Sequence, residues 1–436
     1  MVRPSRFTNW ARNQTCLPEA IHRPRTVVEI AERVAEAAAR NGRVKVVGAG
    51  HSFTSAACTN GVLLRLDDLD ALTDHDPATG RVTVGAGIRL NALNEALHRV
   101  GLALPNLGDI AVQSVVGATA TATHGTGVDH GNLATAIVGF EIVSGTGEVL
   151  WCDADSNADV FAVGRVGIGA LGVVTRIRLQ CVPSFVLHAT ERAEPIDDVF
   201  ADWNAFAHSA DHAELFWFPG VDRCFTKQNR RTDEPEQPAS RLRHFVDKEI
   251  GENAALEVAL RTVRRFPTQR DRIIETVTKG LGDREFVDRS YRVFASPRRV
   301  RFLEMEYGVP FEALPEAFER VRRLAEGLER RPLLPVEVRA SAADDIPLST
   351  AEGRTSGWIA VHQDPRLPSG DYFRGVETIM DDYAGRPHWG KLHFQTHDVL
   401  RERYPRWDEF AAVRARLDPA GVLRNDYLDR VLGPIS

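Results

Sequence analysis

Gly48-Ala49-Gly50-His51-Ser52-Phe53-Thr54 follows an apolar run, Arg43-Val44-Lys45-Val46-Val47. Glycines tolerate positive φ and let the backbone come close to a ligand. Successive N–H groups in such a turn form a concavity that holds a phosphate. A plain phosphate loop has no need of a histidine, so His51 has a task of its own. The nicotinamide fingerprint G-x-G-x-x-G is disfavoured, because Phe53 stands where its third glycine belongs. Taken alone, the loop reads equally as a tight surface turn.

After Gly117, alanine and threonine alternate from Ala118 to Thr123, and His124-Gly125-Thr126-Gly127 follows. An extended chain would put every threonine on one face, with hydroxyls free for a ligand; the other reading is a packed, buried strand. Val163 to Gly172 is dense in glycine and runs into Val173-Val174-Thr175-Arg176-Ile177-Arg178-Leu179, an alternating strand. Further on, Leu334-Pro335-Val336-Glu337-Val338-Arg339 sets Glu337 and Arg339 on one strand face and both valines on the other. That pair is either an active-site couple or a surface ion pair, and the latter contributes little. The neighbouring run Trp358-Ile359-Ala360-Val361-His362-Gln363 offers His362. In Arg386-Pro387-His388-Trp389-Gly390-Lys391 a stiff proline and a flexible glycine bracket His388 and present Lys391.

The elements that must position these groups are legible in outline. Thr26-Val27-Val28-Glu29 is a capping box. It opens a helix that runs through Ala39-Arg40 and stops at Asn41-Gly42. Strands are expected at 43–47, 61–66 and 81–87, with a turn at 76–80. A helix is expected from Leu90 to Arg99, with Leu90, Leu93, Leu97 and Val100 inward. These are two small α/β layers, not one long doubly wound sheet. Asn9-Trp10 is expected as a lid over the first helix. Beyond residue 183, Glu214 to Pro219 reads as an aromatic strand. A helix within 311–331 carries a core stripe of Leu314, Phe318, Val321 and Leu324.

At 436 residues the chain can build two domains. Its 54 Lys+Arg against 60 Asp+Glu, with no basic block, argue against a nucleic-acid partner. Five scattered cysteines without a C-x-x-C pair argue against a disulfide framework or a structural zinc, and no metal is expected. The start of the chain lacks a signal-peptide core, and no apolar run reaches about 18 residues. A cytoplasmic protein without a transmembrane segment is the expectation, with peripheral membrane contact left open.

G-x-G-H-S, then A-T-x-T-H-G-T-G, then G-A-L-G-V-V-T, in that order, resemble the FAD-binding domain of the vanillyl-alcohol-oxidase-type flavoproteins. H-W-G-K and E-x-R narrow the resemblance to the aldonolactone oxidoreductases and the related alditol oxidases. It covers nearly the whole chain and implies an α+β fold: a two-subdomain FAD-binding domain (1–183), a substrate cap domain with an antiparallel sheet (184–385), and a C-terminal return (386–436). It implies FAD held by Gly48, Ala49, Gly50, His51, Ser52 and Phe53, with His51 bonded to the flavin 8α carbon. Ser114, Thr119, Ala122, Thr123, His124, Gly125, Thr126 and Val174 would line the cofactor, His124 as a ligand or as a structural histidine. Glu337, Arg339, His388 and Lys391 would be catalytic, with Ser114, Glu337, Arg339, His362 and Lys391 on the substrate. Lys391 would stabilise charge on the reduced flavin.

The implied reaction passes a hydride from a secondary C–H of an L-gulono- or D-arabinono-1,4-lactone to flavin N5. Reoxidation would be by O2 or an electron carrier, and Gly117 and Ala118 are candidate oxygen gates. The alternatives are an alditol oxidase of the xylitol or sorbitol type producing H2O2, a flavin-free sugar-binding module, and a nicotinamide dehydrogenase.

Overall fold

A computed structural model describes residues 6–237, 255–280, 282–296 and 299–435. Helix α1 (Val27–Ala39) starts where the Thr26 hydroxyl accepts the Glu29 N–H at 3.2 Å. The Glu29 carboxylate accepts from Arg25 N–H at 2.9 Å, not from Thr26, so the expected box closes one residue early. The buried stripe Ile30, Val34 and Ala37 packs on a three-stranded parallel sheet. Its strands are β1 (Ala20–His22), β2 (Val44–Val47) and β3 (Val62–Arg65), in the order β1-β3-β2. The glycine loop leaves the end of β2.

A five-stranded antiparallel sheet forms the second layer. It contains β4 (Leu72–Asp76), β5 (Arg81–Gly85), β6 (Ile137–Val143), β7 (Val149–Cys152) and β8 (Val173–Gln180), ordered β7-β6-β8-β5-β4. Helix α2 (Leu90–Arg99) buries Leu90, Leu93 and Leu97 in its core. Trp389, Trp407, Phe410 and Leu428 of the C-terminal segment join that same core.

The alanine–threonine stretch is not extended. Its first half is a short helix, α3 (Val115–Thr119), begun by Ser114, whose Oγ accepts the Gly117 N–H at 3.2 Å. Thr119 and Thr121 donate back to carbonyls of their own turn, Val115 O at 3.1 Å and Gly117 O at 3.2 Å. Such local bonding offers the backbone an alternative to a strand ladder. Ala122 then takes φ +56° and reverses the chain. Trp10 also departs from expectation: it stacks on His51 with ring centroids 5.2 Å apart and meets Phe53 and Phe302. It therefore covers the glycine loop, not α1.

The cap is an eight-stranded antiparallel sheet. Its strands are β9 (Val186–Pro195), β10 (His212–Trp217), β11 (Arg223–Thr232), β12 (Arg284–Arg289), β13 (Leu303–Pro310), β14 (Val336–Ser341), β15 (Ser356–Gln363) and β16 (Arg386–Pro387). Their order is β12-β9-β11-β10-β14-β15-β13-β16. Side chains alternate across a strand. Met305, Tyr307, Val336, Val338, Ile359 and Val361 therefore form one core with helices α4 (Leu314–Gly327) and α5 (Gly370–Asp381). Glu304, Glu306, Glu337, Arg339 and His362 fall on the opposite face. Among the described residues no helix is long and apolar enough to cross a membrane. The whole is an α+β fold with an antiparallel sheet in its second half, as the sequence implied.

Candidate active site

Two cavities meet under the charged face of the cap sheet. The first, about 1690 Å³ with its mouth, runs between the two small layers. Residues 48–53, Ser114, Thr119, Val174 and the glycine-rich turn at Gly167–Gly172 line it. The second, about 1000 Å³, is bounded by Thr123, His124, Glu304, Glu306, Glu337, Arg339 and His362. His388 and Lys391 line both. Ala122, Gly125 and Thr126 border neither. They shape the reversal between the two layers and the cap, where Thr126 is buried and accepts from the Ala340 N–H at 3.4 Å. Ser114 borders only the first cavity.

The first cavity suits an elongated, phosphate-bearing ligand. Gly50 sits at φ +72°, a conformation that favours glycine. A Cβ on Gly48 would lie 2.0 Å from Ser114 Oγ, so the loop can approach α3 only without a side chain there. Burial, with Arg89 and Lys391 nearby, pulls the His51 imidazole down to about 4 and leaves it neutral near pH 7.

Charge in the second cavity is arranged by two strands. Register sets Glu304 of β13 opposite His362 of β15, side by side on one face. Glu304 forms an ion pair with Lys391, and Glu306 lies 3.8 Å from the same ammonium. Burial alone would lower the Lys391 pKa, but these two carboxylates outweigh it and raise it. Burial opposes the Glu304 charge too, yet Lys391 and then His362 bring its carboxyl to about 2. Lys391 is therefore a fixed cation at the junction of the cavities.

Arg339 of β14 is shared among three carboxylates: Glu337, Asp109 at 2.9 Å and Glu214 at 2.9 Å. Lys227 adds a second cation 3.2 Å from Glu214. Two cations face three carboxylates there, of which Glu214 and Glu337 are buried. Of the three, Glu337 is the one that burial pushes well above the carboxylate range, against the pull of Arg339. The pair foreseen on one strand face is thus buried and is no surface ion pair.

The histidines divide by tautomer. His388 Nδ1 accepts the Gly390 N–H at 3.0 Å, and burial pulls its ring down to about 3. Its proton sits on Nε2, so His388 is a donor. His124 points Nδ1 at Gly125 O, 2.8 Å away, and Nε2 at Glu306, 3.4 Å away, with its ring stacked on Trp358 at 3.8 Å.

Sequence reasoning missed Glu304, Glu306, Asp109 and Glu214. The signal for the first two was present: Leu303-Glu304-Met305-Glu306-Tyr307 alternates carboxylates with core residues as the E-x-R strand does. Asp109 and Glu214 carry no local pattern and reach Arg339 only through tertiary packing.

Comparison with known proteins agrees with this geometry. The family profile described as D-arabinono-1,4-lactone oxidase matches residues 177–431, and one described as FAD binding domain matches residues 18–153. The chain is 46 % identical over 428 residues to L-gulono-1,4-lactone dehydrogenase of Mycobacterium tuberculosis, covering 98 % of this chain and 99 % of that one. It is 34 % identical over 442 residues to L-gulonolactone oxidase of Mus musculus, covering 98 % of each. The crystal structure of cholesterol oxidase from Brevibacterium sterolicum superposes with a TM-score of 0.82 over 99 % of this chain and 98 % of that one, at 17 % identity, a likeness of fold alone. With a loop that fits a dinucleotide at one end of the site and a fixed lysine at the other, the chain belongs to the D-arabinono-1,4-lactone oxidase family and carries an FAD-binding domain.

Proposed function

We propose that the chain binds FAD in the first cavity and oxidises a secondary hydroxyl of a sugar 1,4-lactone, of the L-gulono or D-arabinono type, in the second. The observation that carries this is Lys391, pinned by Glu304 where the two cavities meet. FAD supplies the oxidising chemistry, accepting the carbinol hydrogen with its two bonding electrons. Lys391 brings a full positive charge to the place where negative charge then develops, and costs no reorganisation there. Arg339 polarises the reacting hydroxyl, while Glu337 bonds a neighbouring hydroxyl and orients Arg339. His388 donates from Nε2. Ser114 holds the substrate from the first cavity.

His51 is proposed as the site of a covalent link to the flavin. A neutral ring with an available nitrogen lone pair supports it, as does the Trp10 stack that fixes the ring plane. Residues 1–183 would hold the cofactor, 184–385 cap the substrate, and 386–436 complete the site. Five free cysteines suit a reducing, cytoplasmic setting. The oxidant that regenerates the flavin is O2 or an electron carrier.

Anaerobic absorbance titration with L-gulono-1,4-lactone tests the reading. A yellow protein that bleaches supports it, and the rate at which colour returns in air separates O2 from another acceptor. Bleaching by xylitol but not by lactone would move the substrate to open-chain polyols. A protein that stays colourless with added FAD would sink the reading. Acid precipitation tests the link: yellow colour in the supernatant would exclude a bond at His51.

A further inference from the structure

Oxidation of a carbinol releases a proton from oxygen as well as the hydrogen on carbon, and that proton needs an acceptor in the second cavity. Most lone pairs there are committed. Glu337 and Asp109 both sit on Arg339. Glu304 is locked onto Lys391, and a carboxyl near 2 is a poor acceptor at neutral pH. Glu306 lies between Lys391 and His124 and is likewise held well below the carboxylate range. His388 presents a proton on Nε2, and its Nδ1 already accepts the Gly390 N–H. His124 has its Nε2 wholly buried beneath Trp358.

His362 differs from all of these. Its Nδ1 lies 2.8 Å from the carbonyl oxygen of Pro335. A carbonyl only accepts, so Nδ1 carries the proton and the lone pair of the neutral ring is on Nε2. That nitrogen faces the cavity, 3.5 Å from Glu304 Oε1, and the edge of Phe302 braces the ring at 5.1 Å. Glu304, Glu337 and His362 each aim one atom into a common space, all three within 4.8 Å of one another. An oxygen at the centre of such a triangle lies at most about 2.8 Å from each corner, which is hydrogen-bond distance.

We propose that His362 is the general base of the reaction, its Nε2 taking the proton of the reacting hydroxyl. This rests on the oxidation proposed above. The O–H bond breaks and its proton goes to Nε2. The C–H bond breaks, its hydrogen and electron pair pass to the oxidised flavin, and C–O becomes C=O. The imidazolium so formed stands beside the Glu304 carboxylate, which stabilises it. The charged and titratable groups that line the cavity with His362 are Asp109 and His124, with Glu304 and Glu306 on β13, Glu337 and Arg339 on β14, and His388 and Lys391 on the C-terminal segment.

The test is anaerobic stopped-flow reduction by the lactone, from about pH 5 to about pH 9. Wild type, His362→Gln and His362→Ala are compared. Wild-type reduction should fall on the acid side, where Nε2 becomes protonated. His362→Gln should lose about 10²–10⁴-fold in the reduction rate constant, the usual weight of a general base, and should lose the acid limb with it. Added imidazoles should restore His362→Ala in order of their basicity. A residue that only shaped the pocket would weaken substrate binding and leave the limb in place.

A wild-type rate constant flat across the range overturns the proposal, and that holds even where a variant fails to fold. So does a His362→Gln variant with a normal rate and the same acid limb. If neither lactone nor polyol bleaches the wild type, the oxidation itself is wrong and the base falls with it. Normal wild-type bleaching with an indifferent His362→Gln removes the base alone.

Discussion

Gly48→Ala tests how the cofactor loop is held against α3. The new Cβ would stand 2.0 Å from Ser114 Oγ and 3.1 Å from Ser114 Cβ. Gly48 is not in the left-handed region, so the backbone itself accepts an alanine. The hydroxyl must rotate away, and it then abandons the Gly117 N–H that it caps at 3.2 Å. A lost cap costs about 1 kcal/mol, and residual overpacking adds about 1–3 kcal/mol, so the variant should be destabilised by about 2–4 kcal/mol. Ser114→Ala alone should cost only the cap, about 1 kcal/mol. In the double variant the oxygen that clashes is gone and only the 3.1 Å contact remains. It should therefore sit about 1–2 kcal/mol below wild type, which makes the coupling between the two positions about 2–3 kcal/mol. Urea denaturation reads this cycle. Strictly additive losses would refute it, since they would mean that Gly48 and Ser114 do not touch.

Arg339→Met removes the cation that Asp109, Glu214 and Glu337 share, and should cost about 3–5 kcal/mol in urea unfolding. Lactone-driven flavin reduction should be lost as well, and a near-normal rate would remove Arg339 from the chemistry. Glu352 is raised to about 7, chiefly by burial. The unfolded chain then releases its proton first as pH rises, so Glu352 draws stability down between about pH 4.5 and about pH 7. Urea midpoints measured across that range should fall less steeply for Glu352→Gln than for wild type. Asn425 spreads its amide over the carbonyls of Ser55, Ala56 and Cys58 at 2.9–3.1 Å, and caps the C-terminal helix (Asp426–Leu432) by accepting Leu428 N–H at 2.9 Å. Asn425→Ala should cost about 1–3 kcal/mol. It should also speed proteolysis after residue 420, seen by timed digestion.

What the sequence revealed was what local rules control. Glycine at a turn, a threonine cap and period-two alternation act over a few residues, so the 48–54 loop, α1, α2 and the E-x-R strand could be placed in advance. The 117–123 stretch was misread because alternating small residues satisfy a strand and a helical turn alike. The deciding feature was the single cap at Ser114. The carboxylate surroundings of the site depend on contacts across long separations. Arg339 meets Glu214 across 125 positions, and nothing near either residue announces the other. His362 stood out only as a residue on a promising strand. Its tautomer is set by a carbonyl 27 positions away.

The latch at Asn425 also orders events in time. The cofactor loop is synthesised near residue 50, but its flank at 55–58 is tied down by a residue made some 370 positions later. Lys45, beside the loop, likewise donates to Leu423 O at 3.2 Å. At about 5–20 residues per second, the ribosome needs tens of seconds to bridge that interval. For that long the glycine loop is exposed without its C-terminal seal. The flank of the cofactor loop can therefore close only after the C-terminal helix has been made.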